Sequence, residues 1–146
     1  MDTTYSDIHS VFLSKITDYD ILKFMQVERE EILDAFLRSS IIKFKKTCLA
    51  DLSNRDDVLR KFNIELDEDT IEILALGELY YWICPKVLNT DVLKNHLNTK
   101  EFTMYSPAKL LSELKDLKQI LHEDFRKEII IYSYNNADFK DLKVGG

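Results

Sequence analysis

Glycine and proline are scarce in this chain of 146 residues: there are three glycines, of which Gly145 and Gly146 close the sequence, and two prolines, Pro85 and Pro107. All-β folds consume such residues in their many turns, so the shortage favours long helices. With Gly77 the one glycine away from the end, neither a G-x-x-x-x-G-K phosphate loop nor a G-x-G-x-x-G dinucleotide turn can be built. Both need several glycines to bring backbone close to phosphate. Cysteine is as rare. Cys48 and Cys84 stand apart in apolar surroundings without C-x-x-C spacing, and read as reduced, small hydrophobes. His9, His96 and His122 are far from one another and from any cysteine in sequence, so no zinc site and no other metal or cofactor is expected. Cys84 and His96 are separated by a proline and too remote to read as nucleophile and base. No apolar run approaches the ~20 residues of a membrane span. The polar opening MDTTYSDIHS is not a secretory leader, and synthesis in a cytoplasm with no membrane partner is expected.

What is present is the balance of a folded domain, with 45% hydrophobic and 32% charged residues. A chain of this length can bury a core without metal or disulfide staples. The net charge of −6 speaks against DNA binding through a basic face, and the acidity is concentrated. Residues 49–84 alone carry nine acids and three bases, centred on ELDEDTIE with Glu65, Asp67, Glu68, Asp69 and Glu72. Acids at a helix start are favoured by the helix dipole, so this segment is either a solvated first turn or a functional acidic face.

Hydrophobic spacing predicts a single all-α domain of four to five helices over residues 1–134, with an extended tail over 135–146. Tyr5, Ile8, Val11 and Phe12 mark a short first helix to about Lys15. Val27, Ile32, Phe36, Leu37, Ile41, Phe44 and Cys48 mark a second, with acids early and lysines late. In DLSNRDDVLRKFN, Ser53 or Asn54 can cap a two-turn spacer helix, with Asp56 and Asp57 in its first turn. The next helix starts after Asp67 and carries apolar residues around most of its circumference, so it should be central. Gly77 within it points to a close helix crossing, at ~1 kcal/mol of helix propensity. Pro85 should kink or restart it. Ser106 as N-cap and Pro107 at the first helical position open the last helix, with Leu110, Leu114, Leu117, Leu121 and Phe125 on one face.

Chemistry-bearing clusters are few. His122, Glu123 and Asp124 are neighbours on a helix and so point apart, which reads as a solvated polar face. Lys43, Lys45 and Lys46 sit at a helix end, where cations are favoured in any case. No short helix pair with a basic second member is present, as a helix-turn-helix would require. The residue types left over are aromatic: Phe102, Met104 and Tyr105 before the last helix, Tyr132 and Tyr134 at its end, and Phe139 in the tail. Aromatic side chains bury much area at low rotamer cost and are enriched at interfaces. They either close this domain's own core or grip a neighbour.

The succession EREEILDAFLRSSIIKFKKT, DLSNRDDVLRKFN, DEDTIEILALGELYYWICPKVLNT, LNTKEFTMYSPAKLLSELKDL and FRKEIIIYSYNNADF covers about residues 27–139. It resembles the small head–tail connector (adaptor, neck) proteins of tailed bacteriophages that infect Gram-positive bacteria. The resemblance implies a non-enzymatic virion protein made in the host bacterial cytoplasm and placed in the neck region. It implies a homo-oligomeric ring, typically a dodecamer, below the portal protein. Such a ring extends the channel for double-stranded DNA without sequence-specific binding and meets the next neck or tail-completion protein. On this expectation Phe102, Met104 and Tyr105 serve a subunit interface. Tyr134, Phe139, Leu142 and Val144 belong to a tail that docks on the portal, and the acids of 65–72 face a lumen or solvent. The other reading open to the sequence is a small cytoplasmic helical regulator or adaptor that binds another protein.

Overall fold

The computed structural model describes the backbone of residues 1–19, 29–96 and 107–145, and the side chains of 1–19, 29–89 and 109–136. Four helices account for most of the described residues: α1 (Tyr5–Asp18), α2 (Glu30–Phe44), α3 (Glu68–His96) and α4 (Pro107–Gly145). Between α2 and α3 lies an antiparallel hairpin of β1 (Arg55–Asp56) and β2 (Lys61–Phe62). The protein is thus all-α but for one small two-stranded element.

Local chemistry starts the helices where the sequence places the signals. At α1, Thr4 Oγ1 accepts from Asp7 N at 3.1 Å while Asp7 Oδ2 accepts from Thr4 N at 2.9 Å, a reciprocal capping box. At α3, Asp67 Oδ1 accepts from Thr70 N at 2.8 Å, which satisfies one of the orphan donors of the first turn. Pro107 is the first residue of α4, where its missing N–H is of no consequence. Ser106, its expected N-cap, lies outside the described residues.

Helix α3 packs against α1, α2 and α4, and is the central element that its all-round apolar pattern predicts. Leu74, Leu79, Trp82 and Ile83 are sealed within it, and Phe12 meets the Trp82 ring edge-on at 5.8 Å between centroids. Each such aliphatic side chain contributes about 2 kcal/mol by leaving water. The helix does not restart at Pro85: α3 runs through it as one element to His96. Two expected core positions shift by one residue. Ile32 and Leu110 are exposed, and Leu33 and Leu111 are buried in their place. Leu33, Leu37, Ile41 and Phe44 share a stripe that Ile32 leaves by a third of a turn, and Leu111 shares one with Leu114, Leu121 and Phe125 in the same way.

The spacer helix expected over 53–61 is replaced by the hairpin. Asp56 Oδ1 accepts from Val58 N at 2.9 Å and Leu59 N at 3.0 Å, so the carboxylate expected in a helical first turn instead closes a tight loop. Arg60 then adopts a left-handed conformation, with φ of 56°. Long-range bonds decide the outcome. Phe62 N donates to Thr3 O at 2.8 Å, Tyr5 N to Arg60 O at 3.0 Å and Leu66 N to Thr3 Oγ1 at 2.8 Å, so the N-terminal residues pair along β2. Phe62 is buried against Tyr5, with ring centroids 5.4 Å apart.

The last helix continues to Gly145 rather than giving way to an extended tail near residue 134. No proline or glycine interrupts residues 108–144, and asparagine, aspartate and lysine are tolerated within a helix. The last buried side chain described on it is Tyr132.

Candidate functional site

A cluster of charged side chains lies where α1, α2, α3 and the hairpin meet. His9 of α1 sits between two carboxylates, with Nε2 at 2.7 Å from Asp34 Oδ1 of α2 and Nδ1 at 2.6 Å from Glu78 Oε1 of α3. The first pair is a hydrogen bond. The second is a close ionic contact without hydrogen-bond alignment, and Glu78 Oε2 has no hydrogen-bond partner. Arg60 grips Asp34 through Nε at 2.6 Å and Nη2 at 3.0 Å, and reaches Glu30 Oε2 through Nη1 at 2.9 Å. Planar guanidinium geometry suits that two-pronged contact.

The environments push these groups apart. Burial raises the Glu78 carboxyl to about 7, with His9 opposing. For His9, burial disfavours the charged form, but Glu78 and Asp34 together outweigh it and raise the imidazole above its ordinary value. For Asp34, burial is again the largest single influence, yet Arg60 and His9 hold the carboxyl below its usual range. Glu78 is wholly buried and His9 and Asp34 nearly so. None of these four side chains lines either of the two larger clefts described below. Their arrangement ties four segments together. It carries titratable groups inside the protein, apart from both clefts.

The two clefts flank α4. One, of about 630 Å³, lies between α1, the start of α3 and the middle of α4, and is lined by five acids, Asp67, Asp69, Glu72, Asp124 and Glu128, against Lys15 and Lys127. Lys15 Nζ pairs with Glu72 Oε2 at 2.6 Å, and Tyr19 donates to Asp124 Oδ2 at 2.6 Å. No group of histidines, cysteines and acids among the described residues has the spacing of a metal site. The second cleft, of about 650 Å³, is aromatic and cationic, with Tyr80, Tyr81, Phe125, Ile129 and Ile130 on its walls and Lys43 and Arg126 on its rim. Tyr80 and Tyr81 meet edge-on at 5.0 Å, and His122 lies 5.3 Å from the Tyr80 ring. Burial, with the Cys84 thiol beside it, pushes the Tyr80 hydroxyl up to about 12. Burial likewise raises Cys84, which keeps its thiol protonated and a poor nucleophile.

The acidic residues singled out in the sequence are therefore divided. Asp67, Asp69 and Glu72 line the first cleft, whereas Glu68 is exposed outside it and Glu65 approaches the N-terminal ammonium at 3.8 Å on the surface. Tyr134 is exposed. Phe139, Leu142 and Val144 lie on the helical backbone of α4, with side chains outside the described residues, and Phe102, Met104 and Tyr105 lie outside them altogether. Sequence reasoning missed the His9 cluster, since its members are separated by long stretches of chain. The available signal was Glu78, the one charge in the stretch ILALGELYYWICP of residues 73–85. It also set His122 on a solvated face, without the Tyr80 ring beside it.

No helix among the described residues is long and apolar enough to cross a membrane. Compared with family models, with curated proteins and with solved structures, the chain matches none.

Proposed function

We propose that this chain is a structural virion protein, a head–tail connector that assembles as a ring, a dodecamer, below the portal and carries no enzymatic activity. One observation carries the reading: the ordered succession of segments over residues 27–139 that resembles connectors of tailed bacteriophages. An all-α body ending in a helix of 39 residues, about 58 Å at 1.5 Å per residue, is consistent with it. The core reaches Tyr132, and about 20 Å of helix follows, enough to extend a contact toward a neighbouring ring. In this role the chain's acidity is useful. A lining of lysines would hold DNA phosphates through counterion release, whereas carboxylates let a polyanion slide.

The tail segment 135–146 docks on the portal through Phe139, Leu142 and Val144, with Tyr134 just before it adding to the contact. Deletion of residues 135–146 tests this. The truncated chain should stay folded and helical yet fail to join portal-bearing capsids, while the full chain adds a ring visible by electron microscopy. Attachment by the truncated chain at the full-length level would overturn the docking role. Particles that gain no density with the full chain would overturn the connector reading itself, and leave a lone protein-binding regulator as the better account.

A further inference from the structure

The hairpin ends in two apolar side chains held out into solvent. Val58 is 90% exposed and Leu59 65% exposed. The loop that carries them is held in place by its own hydrogen bonds. Its Asp56 carboxylate accepts from both backbone N–H groups, Arg60 is clamped by Asp34 and Glu30, and Tyr5 donates its hydroxyl to Asp57. A pre-organised apolar knob loses little entropy when it is buried. On the same chain, the open cleft walled by Tyr80, Tyr81, Phe125 and Ile130, with Lys43, His122 and Arg126 beside them, has a volume of about 650 Å³, room for two aliphatic side chains. Helices α3 and α4 form its walls, and it shares no lining residue with the hairpin, which is fastened to the starts of α1 and α2. A chain's knob is therefore not placed to fill its own cleft.

Charge matches as shape does. Each base of the hairpin is engaged by a carboxylate: Arg55 by Asp57, Arg60 by Asp34 and Glu30, Lys61 by Asp2. Acids and bases balance within residues 51–61, but these bases are 22–31% exposed while Asp57, Glu30 and Asp2 are 42–67% exposed, so the carboxylates stand outermost. The cleft shows the opposite sign. Lys43 and Arg126 stand on its rim, Lys115 and Lys118 line a shallow extension past Tyr80 and His122, and no carboxylate among the described residues lines either.

We infer that the aromatic cleft between α3 and α4 receives the Val58–Leu59 knob of a second copy of this chain, in a head-to-tail contact. Such an interface is heterologous, so each copy keeps a free knob and a free cleft, and repetition gives a ring or an open chain rather than a closed pair. The contact would give the proposed connector a subunit interface in addition to the one expected of Phe102, Met104 and Tyr105, and rests on that reading only for the closure into a ring. Self-association itself is a property of the purified chain.

Sedimentation velocity over a concentration series tests it with the full-length protein and two variants, V58D/L59D and I130D, whose altered side chains are exposed in the monomer. The wild type should associate, and each variant alone should stay monomeric with unchanged helical circular dichroism. Mixed in equal amounts, the two variants should form a heterodimer and stop there, because one intact knob and one intact cleft remain. A wild type that stays monomeric at every concentration overturns the inference, as does either variant associating like the wild type, or a mixture without heterodimer. The connector reading fails separately. If the wild type associates through this contact but adds nothing to portal-bearing capsids, the interface stands and the viral role falls. If V58D/L59D joins capsids as well as the wild type, the role stands and the interface falls.

Discussion

A Cβ built at Gly77 would lie 2.1 Å from Ser40 Oγ and 2.6 Å from Phe125 Cζ, so α3 touches both α2 and α4 at this position. Ser40 cannot easily withdraw, since its hydroxyl donates to Leu74 O at 2.9 Å in a buried site. Gly77→Ala should gain ~1 kcal/mol of helix propensity and lose about 1–3 kcal/mol to overpacking, for a net destabilisation of up to about 2 kcal/mol in urea unfolding. Adding Ser40→Ala should restore part of the loss. The second residue-scale expectation concerns Glu78. Its folded-state value of about 7 lies above the ordinary 4.5, so the folded protein holds a proton that the unfolded chain releases. The stability this brings is complete below 4.5 and is lost as pH rises through 7. His9, also raised, adds a loss of the same sign above its ordinary 6.5, whereas Asp34, lowered, loses its contribution as pH falls below 3.8. Thermal unfolding should therefore peak in mildly acidic solution and decline toward pH 8. Glu78→Gln should flatten that decline by an amount on the order of 3 kcal/mol. An unchanged pH profile in the variant would show that Glu78 does not titrate in this range.

Elements differ in how much of them is local. The start of α3 follows from Asp67 and its acidic first turn, and Asp67→Ala should cost ~1 kcal/mol, read from the urea midpoint. The hairpin is another matter. Ser53, Asn54, Asp56, Asp57 and Arg60 have the order of a capped short helix, and nothing in DLSNRDDVLRKFN by itself rejects one. The N-terminal residues reject it, by pairing along β2 and by bringing Tyr5 onto Phe62. Asp56→Ala distinguishes the two conformations. In the hairpin it removes the acceptor of two loop N–H groups and should cost about 1–3 kcal/mol. In a helical first turn the same change would lose only a dipole interaction, about 0.3–1 kcal/mol. The run of α3 through Pro85 has a similar origin. A proline costs roughly 3 kcal/mol within a helix, and the burial of Trp82, Ile83 and Val87 on either side of it offsets that cost.

At the scale of the whole molecule, the knob and the cleft are both surface features, and residues 133–135 beyond Tyr132 are exposed. Removal of residues 135–146 takes away no buried side chain among those described, and the truncated chain should unfold within a few degrees of the full-length protein in a thermal melt. The all-α class, the central position of α3 and the close crossing at Gly77 were legible in the sequence because each depends on spacing, composition or a single missing side chain. The acidic face was legible only in part, since the spacing of Asp67, Asp69 and Glu72 does not say that Asp124 and Glu128 of α4 complete their cleft. Sequence by itself determined helix starts, helix periodicity and the shortage of turns, all of which act over a few residues. Tertiary structure decided what lies between residues far apart: the hairpin in place of a spacer helix, the enclosure of His9 by Asp34 and Glu78, and the aromatic, cation-lined cleft between α3 and α4. Those outcomes depend on desolvation and on pairing across the fold, and neither is set until the helices have packed.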